Sequence, residues 1–330
     1  MEEKIDFVLI WVDGGDKEWQ KERNKYAGKD PEDLADYRFR DWENLKYWFR
    51  GVEKFAPWVN NVYFITCGHY PEWLNLNHPK LKFVKHEDYI PKEYLPTFNS
   101  HTIELNLHRI KDLSDKFVYF NDDMFLINKV EEDDFYKNSM PKLIAGLDAI
   151  ALNDERFGHI MLNNIQLINR NFNKKEVFNK NILKWYYYRY GLKTLIKTLF
   201  LSSYSNFTCF NNPHMPVPLL KNTINELWEK ENDILDKTSK DKFRTSEHVN
   251  QYIFSWYEIA KGNFIPQKGS FGKYYTITDN NKDIYDGIKR QKHKLICLND
   301  VSNNFDFEKA KNEIIEAFET ILPEKSTFEL

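Results

Sequence analysis

The sequence predicts an α/β fold: a mainly parallel sheet flanked by helices, with a helical insertion or subdomain in the middle of the chain. Short β-prone runs alternate with helical stretches over the first 130 residues, which is typical of βαβ units. From about residue 130 the apolar periodicity becomes helical, and near the C-terminus a strand followed by a helix is expected to rejoin the sheet. We therefore expect an α/β core from residues 1–130 and 290–330, with the insertion of residues 131–289 packed against it.

The core elements follow from the hydrophobic pattern in chain order. The apolar run 5–12 ends in Asp13-Gly14-Gly15-Asp16, the pattern of a buried strand that leads into a tight loop, and a helix is expected soon after it. A second helix is predicted over 41–55, where apolar residues recur on one face and Pro57 follows. The remaining core elements are predicted as strands over 62–66, 81–84, 116–120 and 294–298 and as helices around 103–110 and from about 306.

Three helices are predicted in the insertion, over 183–204, 219–230 and 246–260. The first, LKWYYYRYGLKTLIKTLFLSSY, is rich in aromatic residues and in Lys and Arg, which is typical of a helix that lies at a membrane surface. A pair of ordinary core-facing helices broken at Gly191 is the alternative interpretation. Peripheral membrane contact through 183–204 is therefore one expectation from the sequence.

Composition and charge narrow the class of protein. With 42% hydrophobic and 16% aromatic residues, the 330-residue chain has the composition of a packed globule. Lys plus Arg (47) nearly balance Asp plus Glu (50), so we expect no basic field of the kind on which nucleic-acid binding depends. Three cysteines without paired spacing predict neither a disulfide framework nor a zinc site. The absence of a basic signal region and of any apolar run of about 20 residues favours a cytoplasmic protein, soluble or peripheral.

Acidic residues follow three of the predicted strands. They are Asp13 with Asp16, Asp122 with Asp123 in the motif YFNDDMF, and Asp300. Each alone could be a turn or helix-capping residue. The carboxyl ends of parallel strands meet at one edge of the sheet, so these acidic side chains would lie close together there. They would repel one another unless a cation or polar ligand groups compensate their negative charge. Mg²⁺ prefers carboxylate oxygens and substrate phosphates, so the sequence predicts a metal-bound diphosphate at this edge.

A second group of candidates lies in the predicted insertion. His214 stands between prolines in NNPHMP, whose restricted backbone would hold the imidazole in place, and a histidine can accept a proton from a hydroxyl near neutral pH. Arg244 offers a fork of donors to phosphate oxygens just before the helix that Ser246 is predicted to cap. Glu247 could complement the dipole of that helix, or could orient His214 or Arg244. A surface or capping role for His214 is the alternative.

Four blocks of the sequence resemble the Stealth family of sugar-1-phosphate transferases. They are IDFVLIWVDGGD (5–16); the long run that begins RFRDWENLKYWFRGVEKFAPW at residue 38 and includes LPTFNS and KFVYFNDDMFL; NNPHMP with FRTSEHVNQYIF; and CLNDV with the ending LPEKSTFEL. The blocks occur in the family's order and together span nearly the whole chain. The second block is far more specific than any single motif.

The resemblance implies transfer of a hexose-1-phosphate, for example N-acetylhexosamine-1-phosphate, from a UDP-sugar to a hydroxyl of a glycan acceptor, with release of UMP. The acceptor oxygen would attack the β-phosphorus, so the anomeric C–O bond of the donor would survive. Such a transition state needs alignment and charge neutralisation more than covalent help. The implied setting is capsular or cell-surface polysaccharide synthesis, with an acceptor that could be lipid-linked at the inner face of the membrane.

The resemblance also assigns roles to individual positions. The residues expected at the donor are Trp11, Val12, Asp13, Gly14, Arg38, Arg40 and Asn121. The expected ligands of Mg²⁺ or Mn²⁺ are Asp122, Asp123 and Asp300. The expected catalytic set is Asp123, His214, Arg244 and Glu247, with His214 as the general base or as a transient phosphoryl acceptor.

Two other functions are compatible with the residues. A conventional GT-A-like glycosyltransferase would also use strand-end acids and a divalent metal on a Rossmann-like sheet, but it would release UDP and form a glycoside. A carbohydrate-binding or scaffold protein would use its aromatic residues as a sugar platform and would need neither His214 nor Arg244. The identity of the released nucleotide separates the two enzymes.

Overall fold

The computed structural model describes residues 4–27, 40–152, 156–300 and 305–330. Its strands are β1 (Ile5–Ile10), β2 (Val62–Thr66), β3 (Leu81–Lys85), β4 (Lys116–Phe120), β5 (Met124–Leu126), β6 (Tyr136–Lys137), β7 (Met140–Leu143), β8 (Val217–Leu220), β9 (Ile265–Pro266), β10 (Gly272–Thr276) and β11 (Leu295–Asn299). Its helices are α1 (Lys17–Tyr26), α2 (Leu45–Phe55), α3 (His86–Tyr89), α4 (Ser100–Leu105), α5 (Arg156–Asn171), α6 (Lys174–Trp185), α7 (Leu192–Leu201), α8 (Lys221–Lys230), α9 (Asn232–Lys240), α10 (Tyr252–Lys261), α11 (Lys282–Lys289) and α12 (Phe307–Ile321).

A five-stranded sheet lies at the centre of the molecule, in the order β3-β2-β1-β4-β8. The first four strands are parallel and β8 runs antiparallel beside β4. Every residue of β2 and β4 is buried, as expected for parallel strands covered on both faces. This mainly parallel sheet, flanked by helices, confirms the predicted α/β fold class.

Two hydrophobic clusters cover the two faces of this sheet. Successive side chains of a strand point to opposite faces, so Val8 packs in one cluster while Phe7 and Leu9 pack in the other. The first cluster contains Trp185 and Trp256 from α6 and α10. The second includes buried side chains of α2, β5 and α12. The central sheet is therefore covered by apolar side chains on both faces.

The C-terminal strand does not join the central sheet. β11 lies in a separate three-stranded sheet of order β10-β11-β5, parallel to β10 and antiparallel to β5. β5 begins four residues after β4 ends, and the Leu298 amide donates to the carbonyl oxygen of Asp123 at 2.8 Å. The end of β11 is therefore held beside the acidic motif that follows β4. A third small sheet has the order β6-β7-β9.

Two of the helices predicted in the insertion have different boundaries. Residues 217–220 form the edge strand β8, where Pro218 is tolerated because an edge strand has one unpaired side, so the helix predicted over 219–230 begins only at Lys221. The helix predicted over 246–260 begins at Tyr252, and Ser246 does not cap it. The predicted insertion thus contributes a strand to the central sheet, while its division from the core at residues 130 and 290 stays a prediction.

The segment 183–204 is interrupted, as the alternative interpretation expected, at Gly191. This glycine has φ of +97°, a conformation that side-chain-bearing residues rarely adopt, and it separates the turn after α6 from α7. No helix in the described part of the chain combines the length and the apolar character needed to cross a membrane.

A buried ion pair joins α2 to the C-terminus. Arg50 donates from Nε and Nη2 to the two carboxylate oxygens of Glu329 at 2.8 and 2.9 Å, and from Nη1 to the carbonyl of Leu322 at 2.9 Å. The side chains of Arg50 and Glu329 are only 7% and 4% exposed. We expect Arg50→Ala to lower the free energy of unfolding by about 3–5 kcal/mol, because it leaves a buried carboxylate unpaired. Urea denaturation measures this loss. The double variant Arg50→Met/Glu329→Leu should recover most of it, and a loss below about 1 kcal/mol in the single variant would contradict the pairing.

Candidate active site

The carboxyl ends of β1 and β4 meet at one edge of the central sheet. The two strands are parallel neighbours with Leu9 opposite Phe120, so the loop after β1 leaves the sheet beside the motif after β4. The residues that follow these strands are those expected at the donor and at the metal: Trp11, Val12, Asp13 and Gly14 after β1, and Asn121, Asp122 and Asp123 after β4. The ends of these two strands therefore lie side by side, and the roles of the residues that follow them stay predictions.

Hydrogen bonds from the end of β2 hold the loop after β1. The amide of Asp13 donates to Nε2 of His69 at 2.8 Å, and Nδ1 of His69 lies 3.0 Å from Oδ2 of Asp16. Because Nε2 accepts a hydrogen bond, Nδ1 is the nitrogen that donates to Asp16. This hydrogen bond lowers the pKa of Asp16, which also caps α1 through the amides of Glu18 and Trp19. His69, absent from the predicted set, thus positions the loop.

Other groups of this loop also form contacts that stabilise its conformation. Oδ1 of Asp13 accepts the amide of Gly15 at 2.8 Å, and the carbonyl of Gly14 accepts from the side chain of Gln20 at 2.6 Å. The indole of Trp11 stacks on Phe64 with ring centroids 5.7 Å apart. The loop therefore has a defined shape before any donor binds.

His214 lies against Asp123 because of the direction of β8. This strand runs antiparallel to β4 with Val217 opposite Tyr119, so residues just before β8 lie beside residues just after β4. Nε2 of His214 is 3.2 Å from Oδ2 of Asp123, and Nδ1 is 2.8 Å from the hydroxyl of Tyr252 at the start of α10. Two residues 91 positions apart in the chain thus form a hydrogen-bonded pair at the sheet edge.

The charges around this pair shift the pKa values of its members. Burial alone would lower the pKa of His214, but the hydrogen bond and the charge of Asp123 outweigh it, so this pKa is raised above its ordinary value. Asp122 is exposed at the surface, yet the protein packed around it and the neighbouring charge of Asp123 raise its pKa to about 7. The motif after β4 therefore combines one carboxylate paired with histidine and one carboxyl that titrates near neutral pH.

Cys297 of β11 also contacts Asp123. Its Sγ donates to Oδ2 of Asp123 at 3.2 Å, and burial together with the charge of Asp123 raises the pKa of this thiol far above its usual range. The thiol is therefore protonated at neutral pH, and it acts as a hydrogen-bond donor to the carboxylate.

The buried carboxyl group of Glu104 lies within electrostatic reach of the pair formed by His214 and Asp123. The hydroxyl of Tyr119 is 3.2 Å from Oε1 of Glu104 and 2.5 Å from Oδ1 of Asn121. Burial raises the pKa of Glu104, and the nearby positive charge of Arg244 opposes that shift. Arg244 itself donates from Nη2 to the hydroxyl of Ser100 at 2.6 Å, and its charge also acts to lower the pKa of His214. Arg244 thus lies within electrostatic reach of both His214 and Glu104.

The remaining predicted residues divide between the site and the surface. Arg40 lies 3.7 Å from Oδ2 of Asp300 through its Nη1, an ion pair at the end of β11. Arg38 lies outside the described residues. Glu247 is exposed and pairs with Lys237, whose hydrogen bond lowers the pKa of Glu247. The expectation that Glu247 orients His214 is wrong, because α10 begins five residues later than Glu247 and its first residue, Tyr252, contacts the imidazole instead.

The donor atoms at the site fit an oxygen-bound cation only in part. Within the described ranges, the one group of three potential ligands whose donor atoms lie within 4.8 Å of one another is Asp123, His214 and Cys297. A protonated thiol is a poor metal ligand, and the expected trio of Asp122, Asp123 and Asp300 does not form such a group. However, Oδ1 of Asp123 is buried without a hydrogen-bond partner, which suits a cation completed by substrate phosphates.

Several residues of the site carried no distinguishing signal in the sequence. Tyr252 matched the apolar face of a helix, and its hydroxyl contact depends on where α10 begins. Glu104 lies in an ordinary helical stretch, and Cys297 within a strand pattern. For His69, a polar residue soon after a predicted strand end was the available signal.

Comparison with known proteins identifies the family. Three conserved regions of Stealth proteins match this chain: conserved region 1 over residues 3–31, conserved region 2 over residues 38–143 and conserved region 4 over residues 286–330. The chain is 44% identical over 330 residues to the capsular polysaccharide phosphotransferase WcwK of Streptococcus pneumoniae, covering 99% of this chain and 98% of the relative. It is 38% identical over 336 residues to the receptor polysaccharide phosphotransferase WefC of Streptococcus gordonii, covering all of both chains.

Among solved structures, the galactosyltransferase LgtC in complex with donor and acceptor sugar analogs aligns distantly. The alignment has a TM-score of 0.39 and 10% identity and covers 94% of this chain and 95% of LgtC. The match of three conserved regions and the full-length identity to WcwK and WefC show that the chain belongs to the Stealth family of phosphotransferase enzymes.

Proposed function

We propose that this enzyme transfers a sugar-1-phosphate from a nucleotide diphosphate sugar to a hydroxyl of a glycan acceptor. The observation that carries the proposal is the pairing of His214 with Asp123 at the sheet edge where a donor diphosphate would bind. Its relatives WcwK and WefC, named as polysaccharide phosphotransferases, support a reaction at phosphorus and a polysaccharide product. We infer an acceptor of glycan type, lipid-linked or free, in capsular or cell-surface polysaccharide synthesis.

In the proposed reaction His214 is the general base. The acceptor oxygen forms a bond to the β-phosphorus, the bond from that phosphorus to the bridging oxygen breaks, and UMP leaves with the bridging oxygen. Nε2 of the neutral imidazole carries the proton that it donates to Asp123, so the proton of the acceptor hydroxyl goes to Nδ1, and the imidazolium that forms is stabilised by the carboxylate 3.2 Å from Nε2. The raised pKa of His214 favours this uptake of a proton. The hydroxyl of Tyr252 lies 2.8 Å from the same Nδ1 and keeps the ring in this orientation.

The other residues are proposed to bind and neutralise the donor. The loop of Trp11 to Gly14 would hold the nucleotide, with its shape maintained by His69. Arg244 and Arg40 carry the positive charge that a developing phosphate dianion requires. Asp123, through its unpartnered Oδ1, would hold Mg²⁺ or Mn²⁺ with Asp122 beside it, and a divalent cation there would neutralise the diphosphate. The proposed location of the enzyme is the cytoplasm.

The released nucleotide tests this function against glycosyl transfer. The purified full-length chain is incubated with a panel of UDP-sugars and a glycan acceptor, with Mg²⁺ or Mn²⁺ and with EDTA, and nucleotides are separated by chromatography. We expect UMP together with a phosphodiester signal in ³¹P NMR, and loss of both with EDTA. Release of UDP with a glycoside product would favour the GT-A-like alternative, and no release from any donor would favour a binding protein.

A further inference from the structure

Helix α7 exposes its apolar face instead of burying it. Leu192, Ile196, Leu199 and Phe200 recur at the spacing of one helix face and are 74%, 45%, 61% and 72% exposed. A surface helix normally turns such a stripe toward the core. A helix with the opposite orientation leaves large apolar side chains in water, which is unfavourable unless something covers them.

The opposite face of α7 packs against the rest of the protein through small polar residues. Thr198 is buried, and its Oγ1 accepts the amide of Leu147 at 3.0 Å. Thr194 packs so closely against Gly146 that a Cβ at this glycine would lie 2.2 Å from the threonine methyl group. The helix cannot rotate to bury its leucines without breaking these contacts, so its outward apolar face is a property of the fold.

Further exposed hydrophobic side chains lie close to α7 in the sequence. Eight of the fourteen large hydrophobic side chains that are exposed in the described ranges lie between residues 182 and 204. We call them the α6–α7 surface: Ile182, Leu183, Tyr188, Leu192, Ile196, Leu199, Phe200 and Tyr204. Tyrosines at the border of an apolar patch suit a boundary between water and lipid headgroups, because one end of the side chain is apolar and the other polar.

The charged residues of the segment that forms the α6–α7 surface are all basic. Lys180, Arg189 and Lys193 are exposed within or beside it, and Lys197 pairs with Asp148 at its margin. No Asp or Glu occurs in the sequence between Glu176 and Glu226. An apolar centre with a basic rim is the pattern of a helix that inserts at the surface of an anionic bilayer. A two-fold dimer through this surface would place the same basic residues against one another, which disfavours a second copy as the occupant.

The α6–α7 surface is also connected to the catalytic loop. Gly146, against which α7 packs, accepts the amide of Asn211 through its carbonyl at 2.7 Å. Asn211 begins the segment NNPHMP that carries His214. The backbone at Gly146 therefore contacts both the exposed helix and the segment that carries the proposed base.

We propose that the α6–α7 surface binds an anionic phospholipid bilayer peripherally, with the apolar side chains inserted among the headgroups and the basic residues paired with lipid phosphates. The binding needs neither donor nor metal, and it is independent of the proposed transfer reaction.

Flotation of the full-length chain with vesicles tests the proposal. Wild type should float with phosphatidylglycerol vesicles and not with phosphatidylcholine vesicles, and added salt should weaken the binding. The variant Leu192→Ser/Leu199→Ser/Phe200→Ser should lower the bound fraction about tenfold or more, and Lys180→Ala/Arg189→Ala/Lys193→Ala should also lower it. Leu330→Ser is the matched control, since Leu330 is 71% exposed at the C-terminus, and it should bind like wild type.

Two further measurements distinguish a loss of membrane binding from a loss of folding or of transfer activity. Thermal unfolding confirms that the exposed substitutions leave the fold intact, and transfer to a water-soluble acceptor should be unchanged in the triple serine variant. Flotation of that variant equal to wild type, or no flotation of wild type, would overturn the proposal. A wild-type dimer that the serine variant converts to a monomer, without vesicle binding by either, would also overturn it and would make a second copy of the chain the occupant.

Discussion

Asp123→Asn is expected to lower turnover by about a thousandfold while leaving the protein folded. Asparagine keeps the shape of the side chain and can still contact Cys297, but it removes the charge that stabilises the imidazolium of His214 and that would hold a divalent cation. Initial rates of UMP release from a UDP-sugar measure the loss. The surface variant Asp286→Asn, whose carboxylate pairs with Lys282 on α11, is the matched control and should retain full activity.

The same variant has a readout that does not depend on turnover. Without the charge of Asp123, burial remains the largest influence and lowers the pKa of His214, as does the charge of Arg244, while the charge of Glu104 has a smaller, raising effect. We therefore expect this pKa to fall from above to below about 6.5, as followed by NMR titration of the imidazole. Near-normal turnover of Asp123→Asn, or an unchanged pKa of His214, would show that the pair does not act as proposed.

His214→Ala is expected to lower kcat by about 10²- to 10⁴-fold, the range that a general base contributes. The imidazole is partly exposed, with 29% of its side chain accessible, so the substitution should leave the fold intact, which thermal unfolding would confirm. Tyr252→Phe removes only the hydroxyl that contacts Nδ1 and should cost less than the alanine variant. A loss in Tyr252→Phe as large as that in His214→Ala would indicate that the tyrosine takes part in the proton transfer itself.

The pH profile and the search for a covalent intermediate separate the two roles considered for His214. A base acts in its neutral form, and because the pKa of His214 is raised, wild-type kcat/KM should fall as the pH drops through a value above about 6.5. No phosphoryl label from a donor labelled in its β-phosphate should remain on the denatured protein. A label on His214 that is lost in acid and stable in base would instead assign it as a phosphoryl acceptor.

Much of the fold could be predicted because it depends on local patterns. The strands predicted over 62–66 and 116–120 coincide with β2 and β4, and the helix predicted from about residue 306 is α12. Each of these elements has a periodic or continuous apolar pattern, which can be recognised without knowing the elements against which it packs. Where tertiary pairing overrides local preference, the prediction was wrong: residues 219 and 220 end the edge strand β8 although the pattern there was helical.

Parts of the site could not be predicted for a related reason. That Asp13 and Asp123 leave the sheet at one edge follows from parallel strands, which the alternation of elements already indicated. The role expected of Glu247 depended on a helix predicted to begin at residue 246, whereas α10 begins at Tyr252. The hydrogen bonds of Cys297 and His69 depend on side chains that meet across different elements, and residue types alone do not specify such meetings.

The sequence by itself determined the Stealth family, the α/β fold class and the acidic strand ends, because these are encoded in contiguous motifs and in short-range periodicity. Only the tertiary structure decided that His214 meets Asp123, that Tyr252 holds the ring, and that α7 turns its leucines outward. The physical reason is the same in each case. These contacts depend on how the antiparallel edge strand β8, the start of α10 and the threonine-lined face of α7 pack against segments distant in the sequence. Such packing is a property of the whole fold.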